Sequence, residues 1–308
     1  MQSNQTSLRP HCHILGAGAI GGLFAARLVN LGFPVTLIDK SGDNGERSLR
    51  LAGAEGELEL TIASESPDAS KPIELLWVAT KSHAVLNAVA DVQDRLTPGS
   101  VIVTLGNGMG YHELLARQFP RRVIAGSTTA GVTAATPELR LVAGQGETRL
   151  GWWHGEGEPP GWFGLLWAAK WRCSWESNIR ARLLEKLALN GVINPATALL
   201  DIANGALLEP GHRDTLETAT AELTARLNWA GYPEIAAALP DQLNRVLADT
   251  ATNSSSMRID RQQGRVTEHE AILGYLLDQM GEANSTQPPP APLLESWLRA
   301  LRRPVPVQ

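Results

Sequence analysis

His13-Ile14-Leu15-Gly16-Ala17-Gly18-Ala19-Ile20-Gly21-Gly22-Leu23-Phe24 joins a short apolar run to a helical pattern through a glycine-rich turn. Gly16, Gly18 and Gly21 fit G-x-G-x-x-G. In that pattern the first glycine permits a tight turn, the second lets a pyrophosphate approach the backbone, and the third lets helix and strand pack closely. The helix N-terminus then faces the phosphates with unpaired N–H groups and a partial positive charge. A lone match is a weak signal, but here a strand (His13–Leu15) precedes it and a helix (Ile20–Asn30) follows. A second strand, Val35–Ile38, ends in Asp39-Lys40 at the expected distance. Gly16, Ala17, Gly18, Ala19, Ile20 and Gly21 are therefore candidate dinucleotide-binding residues. Asp39 and Lys40 point in opposite directions: an acid there accepts from the ribose 2′-OH of NAD, a base pairs with the 2′-phosphate of NADP.

Working outward, short apolar runs alternate with helical patterns, as in βαβ units of a parallel sheet. Further strands are expected at Leu75–Ala79, Val101–Leu105 and Val123–Ala125, with helices at Ala84–Arg95 and Tyr111–Gln118. Glu57–Ile62 alternates polar and apolar residues like a hairpin strand, and Leu139–Trp152 carries short β-like runs among glycines. After Asn178 the patterns are helical: Ala181–Ala203, Arg213–Trp229, Leu239–Ser255, Thr267–Met280 and Pro292–Leu301. The expected fold is α/β: a loose tail over 1–10, a Rossmann-type dinucleotide-binding domain over 11–177, and an all-α domain over 178–308. Six tryptophans between Trp152 and Trp175 are expected to form a packed apolar layer rather than a ligand cage.

At 308 residues the chain can bury two cores, and 43% hydrophobic with 19% charged residues is a globular balance. The net charge of −5 and the lack of a basic stripe argue against a nucleic-acid partner. Two cysteines, Cys12 and Cys173, exclude a disulfide framework and suit a reducing cytoplasm. No apolar run approaches the ~20 residues of a spanning helix, so no membrane association is expected. His11-Cys12-His13 is not read as a metal site, because alternate residues of a strand face opposite sides and no matching ligand cluster appears elsewhere.

Lys186, Asn190 and Asn194 recur every four residues, placing one ammonium and two carboxamides along one helix face. The residues between them, Leu187, Ala188, Leu189, Val192 and Ile193, make this helix apolar almost all round. Polar groups in such a helix need partners, and a carboxylate-bearing substrate can supply them. Asn253-Ser254-Ser255-Ser256-Met257 and Gly264-Arg265-Val266-Thr267-Glu268 are weaker signals. Read by themselves, the serines fit a loop and Thr267 fits a helix cap.

The chain resembles ketopantoate reductase, of the 6-phosphogluconate dehydrogenase-like class. The resemblance covers nearly the whole length and is carried by Leu15 to Gly22, Lys81, Gly106-Asn107-Gly108-Met109-Gly110, Glu185 to Pro195, Ser255-Ser256-Met257, and Gly264-Arg265 with Thr267-Glu268. It implies that Lys186 is the general acid protonating the ketone oxygen as hydride arrives at C2. It further implies that Asn190 and Asn194 hold the hydroxyl and keto-acid groups, that Ser256 binds the carboxylate, and that Glu268 orients substrate or lysine. Lys81 and Asn107 match positions on the cofactor side, Asn107 also serving the substrate. Lys40 matches the family's base for the 2′-phosphate, which selects NADP (NADPH) as cofactor. The implied partner is a small 2-keto acid, and the long helices of the second domain leave room for a homodimer interface.

Such chemistry needs these residue types: negative charge develops on the carbonyl oxygen, and a positioned ammonium both stabilises it and gives the proton. Lys186 beside Glu268 is expected to form a charge pair, with burial and the acid pulling the lysine pKa in opposite directions. Ile272-Leu273-Gly274 and His269-Glu270 depart from the family's usual Ile-Asn-Gly run and apolar-then-Asp pair, which bears on substrate fit. The rival readings are a β-hydroxyacid dehydrogenase or imine reductase of the same superclass, or another 2-keto acid reductase, and a catalytically silent NADP-sensing protein. The first is disfavoured by the Asn107 loop and the Ser-Ser-Met segment, the second by the intact set Lys186, Asn190, Ser256 and Glu268.

Overall fold

A computed structural model of the chain describes residues 9–39, 44–54, 56–155, 157–169, 171–280 and 286–303. The chain divides into two compact units. One contains residues up to Gly106 together with Tyr111–Arg182, the other Asn107–Gly110 together with residues from Leu183 on. The expected division at 177/178 and the observed one after Arg182 therefore differ, and the four-residue loop 107–110 leaves the first half of the sequence to pack in the second unit. Residues 1–8 of the expected tail, and Lys40, lie outside the described residues. Arg9 and Pro10, which the sequence assigned to the loose tail, are instead held in place. Arg9 Nε donates to the Leu31 carbonyl at 3.0 Å, and Pro10 is buried where the chain enters the first strand.

The strands of the first unit are β1 (Cys12–Leu15), β2 (Val35–Ile38), β3 (Gly45–Gly53), β4 (Gly56–Glu65), β5 (Ile73–Val78), β6 (Leu96–Thr104), β7 (Val123–Thr128), β8 (Gly131–Ala134), β9 (Leu139–Gly144), β10 (Thr148–Trp152) and β11 (Cys173–Trp175). Among the described residues they form one sheet in the order β11-β10-β7-β6-β5-β1-β2-β4-β3-β9-β8. The centre, from β7 to β4, is parallel. All four residues of β1 are buried, as expected of a strand covered on both faces. Chain order reverses beside β1, which has β2 on one side and β5 on the other. That reversal makes the crevice beyond the carboxyl ends of these strands the place where such sheets bind ligands.

Helix α1 (Ala19–Asn30) turns Leu23, Phe24, Ala25, Ala26 and Leu28 into the core, where Phe24 lies 5.5 Å from Trp77. The helix expected over Ala84–Arg95 is broken into a 3₁₀ turn (Ser82–Ala84), a short α2 (Val85–Ala90) and a second 3₁₀ turn (Gln93–Arg95), because its apolar stripe is only Val85, Ala88 and Val89 long. Helix α3 (Tyr111–Gln118) follows, and α4 (Phe163–Ala168) was not foreseen. The expected hairpin strand is β4. Its partner β3 is antiparallel to it and closes at Gly53 opposite Gly56, whose φ of +110° suits glycine. Most of the tryptophans pack as ring pairs, such as Trp152 on Trp175 at 5.8 Å, but Trp167 is 70% exposed and does not join the expected layer.

Among the described residues the regular structure after Trp175 is helical: α5 (Ile179–Leu200), a 3₁₀ helix (Asn204–Leu208), α6 (Pro210–Trp229), α7 (Pro233–Asp249), α8 (Ser256–Gln262), a π-helix (Glu270–Gln279) and α9 (Pro292–Leu301). Prolines open α6, α7 and α9, where a missing N–H is harmless. The Glu222 carboxylate on α6 accepts from the Leu293 and Leu294 amides at 3.0 and 2.9 Å, satisfying donors at the start of α9. Buried Arg226 binds the Leu277 carbonyl and the Glu295 carboxylate, each at 3.1 Å, tying α6 to the π-helix and α9. The sequence suggested a continuous helix over Thr267–Met280. The structure instead has i→i+5 bonding, as in Met280 N–H to the Tyr275 carbonyl at 2.8 Å, a geometry frequent at functional sites.

Candidate active site

In the first unit, the glycine loop runs from β1 into α1. Gly16 has φ +93°, and a Cβ there would stand 2.8 Å from Thr80 Cγ2; a Cβ at Gly21 would collide with the Gly16 carbonyl. These two glycines are thus required by the protein's own packing. Gly18 differs, since a Cβ there would meet nothing within 4 Å. Its lack of a side chain leaves open space against the backbone, the cradle that a pyrophosphate needs. A pocket of about 620 Å³ opens there, lined by Leu15 to Gly18, Ile38, Asp39, Arg47, Thr80, Ala88, Ala134 to Pro137 and Arg140. The glycine loop, the end of β2 and this pocket fit a dinucleotide. Asp39 is ion-paired with Arg47 of β3, so the acid at the end of β2 is met by a base from the strand hairpin that follows it. Lys81 is exposed at the start of the 3₁₀ turn after β5.

In the second unit, Lys186 sits near the beginning of α5, partly buried. Its Nζ donates to Asn107 Oδ1 at 3.2 Å, and Asn107 Nδ2 donates to Glu268 Oε2 at 3.2 Å. The carboxamide orientation is forced, because an ammonium can only donate and a carboxylate can only accept. Glu268 is buried, 4% exposed, at the approach to the π-helix. Burial pushes the Lys186 amine down to about 8, against the opposing pull of the Glu268 charge. The expected lysine–glutamate pairing thus includes a third member, Asn107. Its expected contact with cofactor or substrate would have to share a carboxamide that already serves both neighbours.

The local fold explains how Asn107 reaches this position. Gly108 has φ +84° and Gly110 φ +99°, and a Cβ at Gly108 would come within 2.6 Å of Ala271. The Met109 amide donates to the Ala271 carbonyl at 2.8 Å. Only a glycine-flanked loop can lie this close on the π-helix. Gly191 plays a similar part on α5, where a Cβ would run into the Leu276 side chain.

Asn190 and Asn194 follow Lys186 on α5, the first half-buried and the second buried. Neither side-chain amide has a hydrogen-bond partner among the described residues. Ser256 is exposed at the first residue of α8. The preceding Ser255 is buried instead, accepting from the Arg258 amide at 3.1 Å as the helix cap and meeting Thr197 Oγ1 at 2.7 Å. Thr267 does not cap a helix; its hydroxyl pairs with His269 Nδ1 at 2.7 Å. Hydrogen bonds unite Lys186, Asn107 and Glu268, and none connects them to Asn190, Asn194 or Ser256 among the described residues. Reading the sequence missed Arg47 and Arg140 at the nucleotide pocket, because strands β3 and β9 carry no motif that marks either arginine. No group of three or more His, Cys, Asp or Glu side chains suited to a metal occurs among the described residues.

A nucleotide cradle at the switch point of a parallel sheet in one unit, and in the other an amine bonded to an amide that a carboxylate holds, are the marks of a nicotinamide-dependent oxidoreductase. Residues 12–155 match the family model described as ketopantoate reductase PanE/ApbA, and residues 178–303 match its C-terminal counterpart. The chain belongs to the ketopantoate reductase family. It is similar to the 2-dehydropantoate 2-reductase of Halobacterium salinarum, 32% identical over 279 residues that cover 86% of this chain and 90% of the relative. The Vibrio cholerae 2-dehydropantoate 2-reductase is 29% identical over 294 residues, covering 94% and 97%. The crystal structure of 2-dehydropantoate 2-reductase from Geobacter metallireducens superposes with a TM-score of 0.79 at 25% identity, covering 94% of this chain and 98% of that one.

Proposed function

We propose that this chain catalyses the NADPH-dependent reduction of 2-dehydropantoate to pantoate, a step of pantothenate and coenzyme A synthesis, with Lys186 as the general acid. The observation that carries the proposal is the chain of hydrogen bonds from Lys186 through Asn107 to Glu268 in a family member with an intact nucleotide loop. When bound, NADPH supplies the hydride. Lys186 Nζ gives its proton to the ketone oxygen, and its charge stabilises that oxygen as electron density builds there. An amine titrating at about 8 is still protonated at neutral pH yet releases its proton more readily than an ordinary lysine. Glu268 holds the carboxamide of Asn107, and the carboxamide in turn fixes the lysine rotamer. Asn190 and Asn194 bind the substrate's hydroxyl and keto-acid groups, and Ser256 binds its carboxylate.

Lys40, Lys81 and the loop Gly16 to Gly21 serve the cofactor in this proposal. Asp39 selects against the 2′-phosphate less strongly than a lone acid would, since Arg47 offsets its charge. The proposal extends to a cytoplasmic homodimer; the Staphylococcus aureus ketopantoate reductase of the same fold is described as dimeric. Sedimentation at micromolar concentration tests the dimer.

The deciding assay follows NADPH oxidation with 2-dehydropantoate against oxaloacetate, 2-ketoisovalerate and, in the oxidative direction, 3-hydroxyisobutyrate. Turnover is expected to be highest with 2-dehydropantoate, and equal or lower turnover with it would overturn the substrate. Lys186→Ala is expected to lower kcat by roughly 10²-fold or more while leaving NADPH affinity intact.

A further inference from the structure

Arg140 on β9 reaches the glycine loop from 122 residues away in sequence. Its Nε donates to the Gly18 carbonyl at 2.8 Å, Nη2 to the Ala17 carbonyl at 2.6 Å, and Nη1 to the Thr136 carbonyl at 2.8 Å. The residue is only 3% exposed. A guanidinium carries five N–H donors, so three bonds to carbonyls leave two for another acceptor. All three partners are neutral dipoles; the Glu138 carboxylate, two residues away, favours the charge from a distance but forms no ion pair with this side chain. A cation withdrawn from water without an anion destabilises the fold that holds it.

Two glycines are explained by this arrangement. A Cβ at Gly22 would stand 2.7 Å from Arg140 Nε, so the glycine just after the G-x-G-x-x-G pattern lets the guanidinium lie against the first turn of α1. Gly18, whose own carbonyl Arg140 binds, has open space where a side chain would be. This buried cation, only partly offset by Glu138, and the open backbone at Gly18 line the same pocket. An anion placed over Gly18 would satisfy both.

We propose that Arg140 is an additional binding residue for the dinucleotide, pairing with the pyrophosphate over the Ala17-Gly18 turn. The assignment rests on the nicotinamide-cofactor reading and deepens it. Backbone amides and a helix N-terminus suffice for a pyrophosphate in the general form of this fold. Here a buried side-chain charge is added from the β8–β9 hairpin, outside the βαβ unit that carries the motif.

The test compares wild type with Arg140→Met, which keeps length and removes charge, by calorimetric binding of NADP⁺, NAD⁺ and 2′-AMP and by thermal unfolding without nucleotide. For Arg140→Met the dissociation constants of NADP⁺ and NAD⁺ are both expected to rise about 10- to 100-fold, with their ratio held within about twofold. Affinity for 2′-AMP, which lacks a pyrophosphate, should not change, and the nucleotide-free Tm should fall as the Gly18, Ala17 and Thr136 carbonyls lose their donors. A folded Arg140→Met protein with wild-type affinity for both dinucleotides would overturn the assignment. So would a loss confined to NADP⁺ and 2′-AMP, which would place Arg140 at the 2′-phosphate. If Arg140→Met does not fold, Arg140→Gln decides by the same constants. Wild-type protein that binds neither dinucleotide would instead bring down the cofactor reading itself.

Discussion

Lys186 is one lysine in an apolar helix, and its chemistry depends on what surrounds the amine. Burial depresses its pKa to about 8 and Glu268 pulls the other way. The acid form is the proton donor, so the reductive kcat should hold below pH 8 and fall as pH rises through it. Glu268→Gln removes the charge that favours the ammonium, and the falling limb should move to lower pH. A pH–rate series on both proteins reads this directly; a limb that stays in place would show that Glu268 does not act on the amine. Lys186, Asn190 and Asn194 were legible because a spacing of four on one helix can be counted. The joining role of Asn107 was not, since a contact between residues 79 positions apart has no local signature.

At the scale of elements, the glycine pattern around Asn107 is a docking device for the π-helix. Gly108→Ala puts a Cβ against Ala271 at a positive φ, which should cost about 1–3 kcal/mol of stability and, by displacing Asn107, lower kcat more than it raises KM. Denaturant unfolding and steady-state kinetics of that variant test both halves. The strands β1 and β2 and helices α1, α3 and α9 were readable from apolar period and punctuation, because burial on one or both faces leaves a regular trace. Strand β3 was not, as its exposed, charged residues follow no such trace. The short α8 escaped notice because its cap, Ser255, looks like any serine in a polar loop, and the π-helix because its apolar period differs little from that of an α-helix.

For the molecule as a whole, acid stability follows from histidines locked away without charge. His112 is fully buried between Tyr111 and Trp153, with ring centroids 4.0 and 4.5 Å away, and its ring nitrogens have no hydrogen-bond partner among the described residues. Burial, helped by Arg180, lowers its pKa from 6.5 to about 3. Burial, helped by His11, does the same to His13. The unfolded chain binds these protons below pH 6.5 while the native state refuses them until about pH 3. Stability should therefore fall as pH drops through that window, by up to about 5 kcal/mol for each such ring. Thermal unfolding of His112→Phe should show a shallower decline between pH 6.5 and 4 than wild type; an unchanged slope would mean that His112 takes up its proton in the folded state. The division of the chain carries a consequence of another kind. A recombination breakpoint at the apparent seam near residue 178 would pass Lys186 and Glu268 to one descendant and the asparagine that joins them to the other. Chimeras with relatives must therefore take residues 107–110 and the helical half from the same parent to inherit a working proton donor.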